Sequence, residues 1–352
     1  MALLVGVLAS VTSAEEKRAN PGQRYLDAAS QKDISPFRRN AYLEIARLHK
    51  VEACLIAYGK MSAPPVHYDD PMIHLRDMGI NAIPALVEAL DDVTPAKMFH
   101  YDGHTMQLTP IRPYTVNELA SVAICAAADR EFVLDEGKSR YRIQQVYSVP
   151  EMIPQFRKLV LDWYAANRTK TLVQRMIEDV EDTYVENRGH AIRWIGWHKE
   201  TAGREAVIKH VNRILDRAPA ETAQALALGE EHPSNGPFGY LGAAGELAAA
   251  AVALGQIRGA DSEATVRRIC KEFSRCVEQY HFEGYDFRID DLFEGYRGLI
   301  AIGKRDEAIN ELERLFKKFS SAMSLNDRDS YQRKLAIARK WTGDERDHLM
   351  IR

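Results

Sequence analysis

Apolar side chains recur along this chain with helical spacing almost from end to end. Tyr42, Ile45 and Ala46 stand at i, i+3 and i+4, and the pattern continues past Leu48 to Ala57. That spacing brings side chains onto one face of a 3.6-residue helix, which then needs a partner surface to cover it. Between Val116 and Ala128 the inward set is Leu119, Val122, Ala123 and Ala126. Phe156, Leu159, Val160 and Trp163 make a further stripe, and Leu172, Met176, Ile177 and Val180 the next. The segments 191–195, 207–215, 247–257, 266–276, 292–302 and 308–319 carry the same period.

The breaks between these segments are equally telling. Pro64, Pro65 and Pro71 punctuate the first part, Gly79 closes one helix, and Pro84 falls in the first turn of the following one, where its missing N–H costs nothing. Residues 93–115 and 131–150 read as irregular, and a glycine-rich stretch at 229–242 interrupts the second half. Pro237 is the last proline, so the final third is free of the strongest helix breaker. Asp261-Ser262-Glu263 and Asn326-Asp327 suit helix N-termini. No persuasive strand is predicted; only Arg140 to Tyr147 alternates at all.

Helix pairs therefore recur at a loose period of about 35–45 residues, and such pairs bury their apolar faces by stacking on one another. The expected fold is all-α, an α-solenoid of antiparallel helix pairs over residues 21–352, with a subdivision near 230–242.

The hairpin Leu75-Arg-Asp-Met-Gly79-Ile-Asn-Ala-Ile-Pro84-Ala-Leu86-Val-Glu-Ala-Leu90-Asp91-Asp92 resembles the junction and second helix of a HEAT repeat. The stretch 75–175 is similar, more broadly, to bacterial HEAT-like proteins. Its counterparts there are the segment 93–115, the helix Asn117 to Ala128, and Trp163 with Lys170, although Arg130-Glu131-Phe132 is one residue shorter than the usual motif. Gly298 to Ala308 resembles a generic HEAT or tetratricopeptide turn. The resemblance implies HEAT-like helix pairs that bind other macromolecules, and it carries over no catalytic residue. HEAT-type di-iron hydroxylases use His-Glu pairs, and this chain contains no His-Glu dipeptide.

Composition narrows the choice of partner. The chain has 352 residues, 46% of them hydrophobic, enough for more than one core. Lys and Arg number 47 against 50 Asp and Glu, for a net charge of −3, and the cations are dispersed. That balance argues against a nucleic-acid partner, which selects a basic stripe. Apart from the N-terminal run Ala2 to Ala9, nothing approaches a membrane span of about 18 apolar residues. That run, followed by Thr12 and Ala14 at cleavage-site spacing and then Glu15 to Arg18, resembles the end of a secretory signal without its basic start. Export to the periplasm or beyond, with residues 1–14 as the signal peptide, is the expectation; a cytoplasmic protein follows if they are a buried first helix. Cys54, Cys125, Cys270 and Cys276 form no C-x-x-C pair, which speaks for buried thiols.

Two segments carry candidate chemistry. His100, Asp102 and His104 put two imidazoles and a carboxylate within five residues, as a divalent metal would need, or as a solvated polar loop would show. The second runs from Tyr280 to Tyr296 and contains Phe-Glu-Gly-Tyr twice, eleven residues apart. Tyr280, Glu283, Tyr285, Asp290, Asp291, Glu294 and Tyr296 could grip a sugar, a cation or a peptide. The competing reading puts the aromatics in the core and the acids in water. Asp290-Asp291-Leu-Phe-Glu294 also mimics the magnesium motif of terpene synthases, but Lys334 stands where the second motif needs its closing acid. The acids Glu178, Asp179, Glu181, Asp182 and Glu186 read as a solvated helix face.

The function these residues predict is a non-enzymatic scaffold that binds a protein partner and needs no cofactor. The alternative is an enzyme or small-ligand binder, of the carbohydrate-active α/α-toroid kind, working through 280–296.

Overall fold

The computed structural model describes residues 21–51, 70–101, 110–136, 139–145, 148–227, 242–280, 289–321 and 323–341. The chain divides into two compact units, Met1–Thr169 and Lys170–Arg352. Each is predominantly helical over its described residues.

In the first unit, α1 (Gln23–Ala29) and α2 (Pro36–Ile45) form a helical pair, followed by α3 (Pro71–Asp77) and α4 (Ile83–Glu88). Ser35 caps α2 by accepting from the Arg38 N–H, and Asp70 caps α3 by accepting from the Met72 N–H. The break between α3 and α4 follows the pattern in the sequence. Gly79 has φ +57°, a left-handed conformation that a side chain would strain, and Pro84 lies in the first turn of α4. Leu75, Ile83, Leu86 and Leu90 from this segment have no exposed surface. Two tyrosines tie α1 and α2 to it. The Tyr42 hydroxyl donates to Glu88 at 2.6 Å and the Tyr25 hydroxyl to Asp92 at 2.9 Å.

The segments 93–115 and 131–150 are not irregular throughout. Strand β1 (Pro95–Tyr101) pairs antiparallel with β2 (Pro110–Thr115), and β3 (Val133–Glu136) with β4 (Ser139–Arg142). Pro95, Pro110 and Pro113 hid the first pair, because proline donates no ladder hydrogen bond and argues against a strand except at an edge or strand start. A two-stranded ribbon is all edge, so it accommodates them. Ala96 and Met98 are buried at period two, the expected sign of a strand lying on a core. Helix α5 (Val116–Ala128) starts straight after β2 with a capping box between Thr115 and Glu118. It is buried on nearly every side, and α6 (Ile153–Asn167) completes the core with Phe156 and Val160.

The second unit contains only helices among its described residues: α7 (Leu172–Asp179), α8 (Val185–Trp197), α9 (Arg204–Ala227), α10 (Gly242–Ile257), α11 (Ala260–Tyr280), α12 (Ile289–Ala301), α13 (Arg305–Phe319) and α14 (Leu325–Ala338). Contacts along them fix their relative direction. Arg188 of α8 meets Glu246 of α10, and farther on Gly196 meets Ala253, so α8 and α10 run parallel. Gly245 faces Asp291, Ala251 faces Gly298 and Gly255 faces Ala301, so α10 and α12 are parallel as well. The intervening helices repeat the arrangement. Arg267 pairs with Glu307, Ser274 with Glu311, and Glu278 with Arg314, so α11 and α13 are parallel.

The alanine-rich sequence of α10 explains how close these neighbours come. A Cβ placed on Gly298 would lie 2.3 Å from the Ala251 carbonyl oxygen. Only glycine lets the two backbones approach that far.

Candidate functional site

Glu246 is the one charged residue in α10, an alanine-rich helix, and it is 4% exposed. A carboxylate in such a place needs partners, because leaving water costs several kcal/mol if nothing compensates. Two neighbouring helices provide them. From α8, Arg188 Nε and Nη2 donate to the two carboxylate oxygens at 3.0 and 2.8 Å. From α9, His210 Nε2 lies 2.7 Å from Glu246 Oε2. Arg188 also donates from Nη1 to the carbonyls of Asp182 and Thr183, which holds the turn before α8.

The electrostatics of this cluster follow from its geometry. Burial alone would push the Glu246 carboxyl up, but hydrogen bonds from His210 and Arg188, reinforced by the Arg188 charge, outweigh it and hold the group below the usual carboxylate range. The carboxylate in turn raises the Arg188 guanidinium. With Glu246 ionised, His210 Nε2 carries the shared proton, and Nδ1 is left buried without a partner. Sequence periodicity gave no sign of this cluster. The available signal was a lone glutamate inside an apolar run.

The residues singled out from the sequence fall on β1, α11 and α12, and some lie outside the described residues. His100 lies in β1 opposite Arg112 in backbone register, while Asp102 and His104 fall outside the described residues. Among the described residues, no group of three or more His, Cys, Asp or Glu is arranged to hold a metal ion. Tyr280 is the last residue of α11, and Glu283 and Tyr285 fall outside the described residues.

The remaining members of the 280–296 set lie on α12. Asp290 forms an ion pair with Lys334, the residue standing where a terpene-synthase motif needs an acid. The Asp291 carboxylate approaches the Gly245 position, and Glu294 Oε1 is 3.8 Å from Arg297 Nη1. Tyr296 is 2% exposed, its hydroxyl 2.6 Å from Ser274 Oγ and 3.3 Å from the Cys270 carbonyl oxygen. Ser274 Oγ in turn donates a hydrogen bond to Glu311 Oε1 at 2.9 Å. Burial pushes the Tyr296 phenol well above its ordinary range. This tyrosine is a core residue with a satisfied hydroxyl, and Phe293 is equally buried beside Tyr331.

The acids around α7 are likewise committed to local contacts. Glu178 pairs with Lys170 and Glu181 with Arg213, both at 2.5 Å, and Asp182 accepts from the Tyr184 N–H at 2.6 Å. Cys125, Cys270 and Cys276 are buried free thiols; desolvation pushes Cys276 up to about 12 and the other two upward as well. Such thiols are inert at neutral pH, since the thiolate is the nucleophile. No described helix is long and apolar enough to cross a membrane. Compared with protein-family models, curated proteins and solved structures, the chain matches none.

Proposed function

We propose that this chain is a non-enzymatic interaction scaffold, built as a solenoid of HEAT-like helix pairs, that binds a protein partner after export. The observation that carries this reading is the alternation in the second unit. Helices α8, α10 and α12 lie parallel to one another, and α11 and α13 do the same in the alternate set. Helix-pair repeats generate that order, because each pair covers the apolar face of the one before it.

The candidate chemistry supports a binding role over a catalytic one. The buried charged cluster at Glu246 has its carboxylate saturated by Arg188 and His210, Tyr296 is absorbed into the core, and Asp290 is neutralised by Lys334. Repeat scaffolds use exposed side chains on successive helices, and Trp197 at the end of α8, 46% exposed, is a large apolar ring offered in that way.

The test is affinity capture from the native host with the tagged chain, followed by mass spectrometry and a binding titration with each recovered protein. The reading expects one reproducible partner with saturable binding that weakens at least tenfold in Trp197→Ala while the melting temperature is unchanged. No saturable protein partner, together with turnover or stoichiometric binding of a small molecule, would overturn it.

A further inference from the structure

We draw no further inference here: the strongest candidate, the buried Arg188–Glu246–His210 cluster where α8, α9 and α10 meet, is closed on itself as an ion-paired core contact, and nothing in the structure identifies a ligand for His210 Nδ1, its unpartnered atom.

Discussion

His210 and Glu246 stand 36 residues apart in sequence, yet the imidazole Nε2 and the carboxylate Oε2 are 2.7 Å apart in the core of the second unit. With Arg188 on the same carboxylate, a single acid fastens three helices. Removing one member strands the others. Glu246→Ala leaves the buried His210 imidazole without its acceptor and the half-buried Arg188 guanidinium with only the Asp182 and Thr183 carbonyls, a change that costs about 3–5 kcal/mol where a buried pair is broken. Urea unfolding of the full chain should show that loss in the transition of the second unit. A drop below about 1 kcal/mol would mean the cluster is loosely held.

Acid should act through the same carboxylate. The folded-state pKa of Glu246 is depressed, so its contribution is present above the unfolded-state value near 4.5 and is lost as pH falls through the lower folded-state value. Unfolding free energy measured from pH 7 down to pH 3 should therefore decline with a steeper slope for the wild type than for Glu246→Gln. Parallel slopes would show that other carboxylates govern the acid limb.

Two glycine substitutions separate close approach from backbone conformation. Gly298→Ala drives a methyl to within 2.3 Å of the Ala251 carbonyl oxygen and must push α10 and α12 apart. Overpacking of that kind costs about 1–3 kcal/mol or more. Gly79→Ala meets nothing within 4 Å, so its cost is the left-handed backbone alone, about 1–2 kcal/mol. Thermal unfolding of both variants reads these values, and enlarging Gly298 should be the more damaging of the two.

Lys199 presents the opposite case. It follows α8 in the left-handed region at φ +51°, and the Glu200 N–H bonds back to the Ile195 carbonyl at 2.9 Å in the manner of a Schellman motif, where glycine is usual. Lys199→Gly relieves the strain and should raise stability by about 0.5 kcal/mol after the entropy that glycine adds to the unfolded chain. A lower melting temperature would show that the lysine side chain contributes more than its backbone costs.

Much of the helical framework was legible from the chain. Every long apolar stripe from Val116 onward corresponds to a helix, and the Gly79/Pro84 break was readable because each residue has one strong conformational preference. The strand pairs were mostly not legible; only the start of the weakly alternating run from Arg140 falls in a strand, β4. β1 and β2 are short, contain three prolines and pair with irregular register, so no alternation long enough to recognise survives. The repeated Phe-Glu-Gly-Tyr was visible but ambiguous. Helical spacing puts Phe293 and Tyr296 on one face without saying whether that face meets a ligand or a neighbouring helix; in the structure Tyr296 bonds to Ser274 of α11 and Phe293 packs on Tyr331 of α14. The Glu246 cluster was illegible for another reason: which distant cations reach a buried acid is decided only when helices are laid side by side.

The contact of Gly196 with Ala253 and that of Gly298 with Ala251 leave no side-chain cushion between adjacent helices. Volume added on one helix must then be removed from the one beside it. Homologous chains should therefore alter these positions jointly, so that Gly298 and Ala251 change as a matched pair, as do Gly196 and Ala253. Divergence along α10 would be recorded as correlated exchange with both flanking helices.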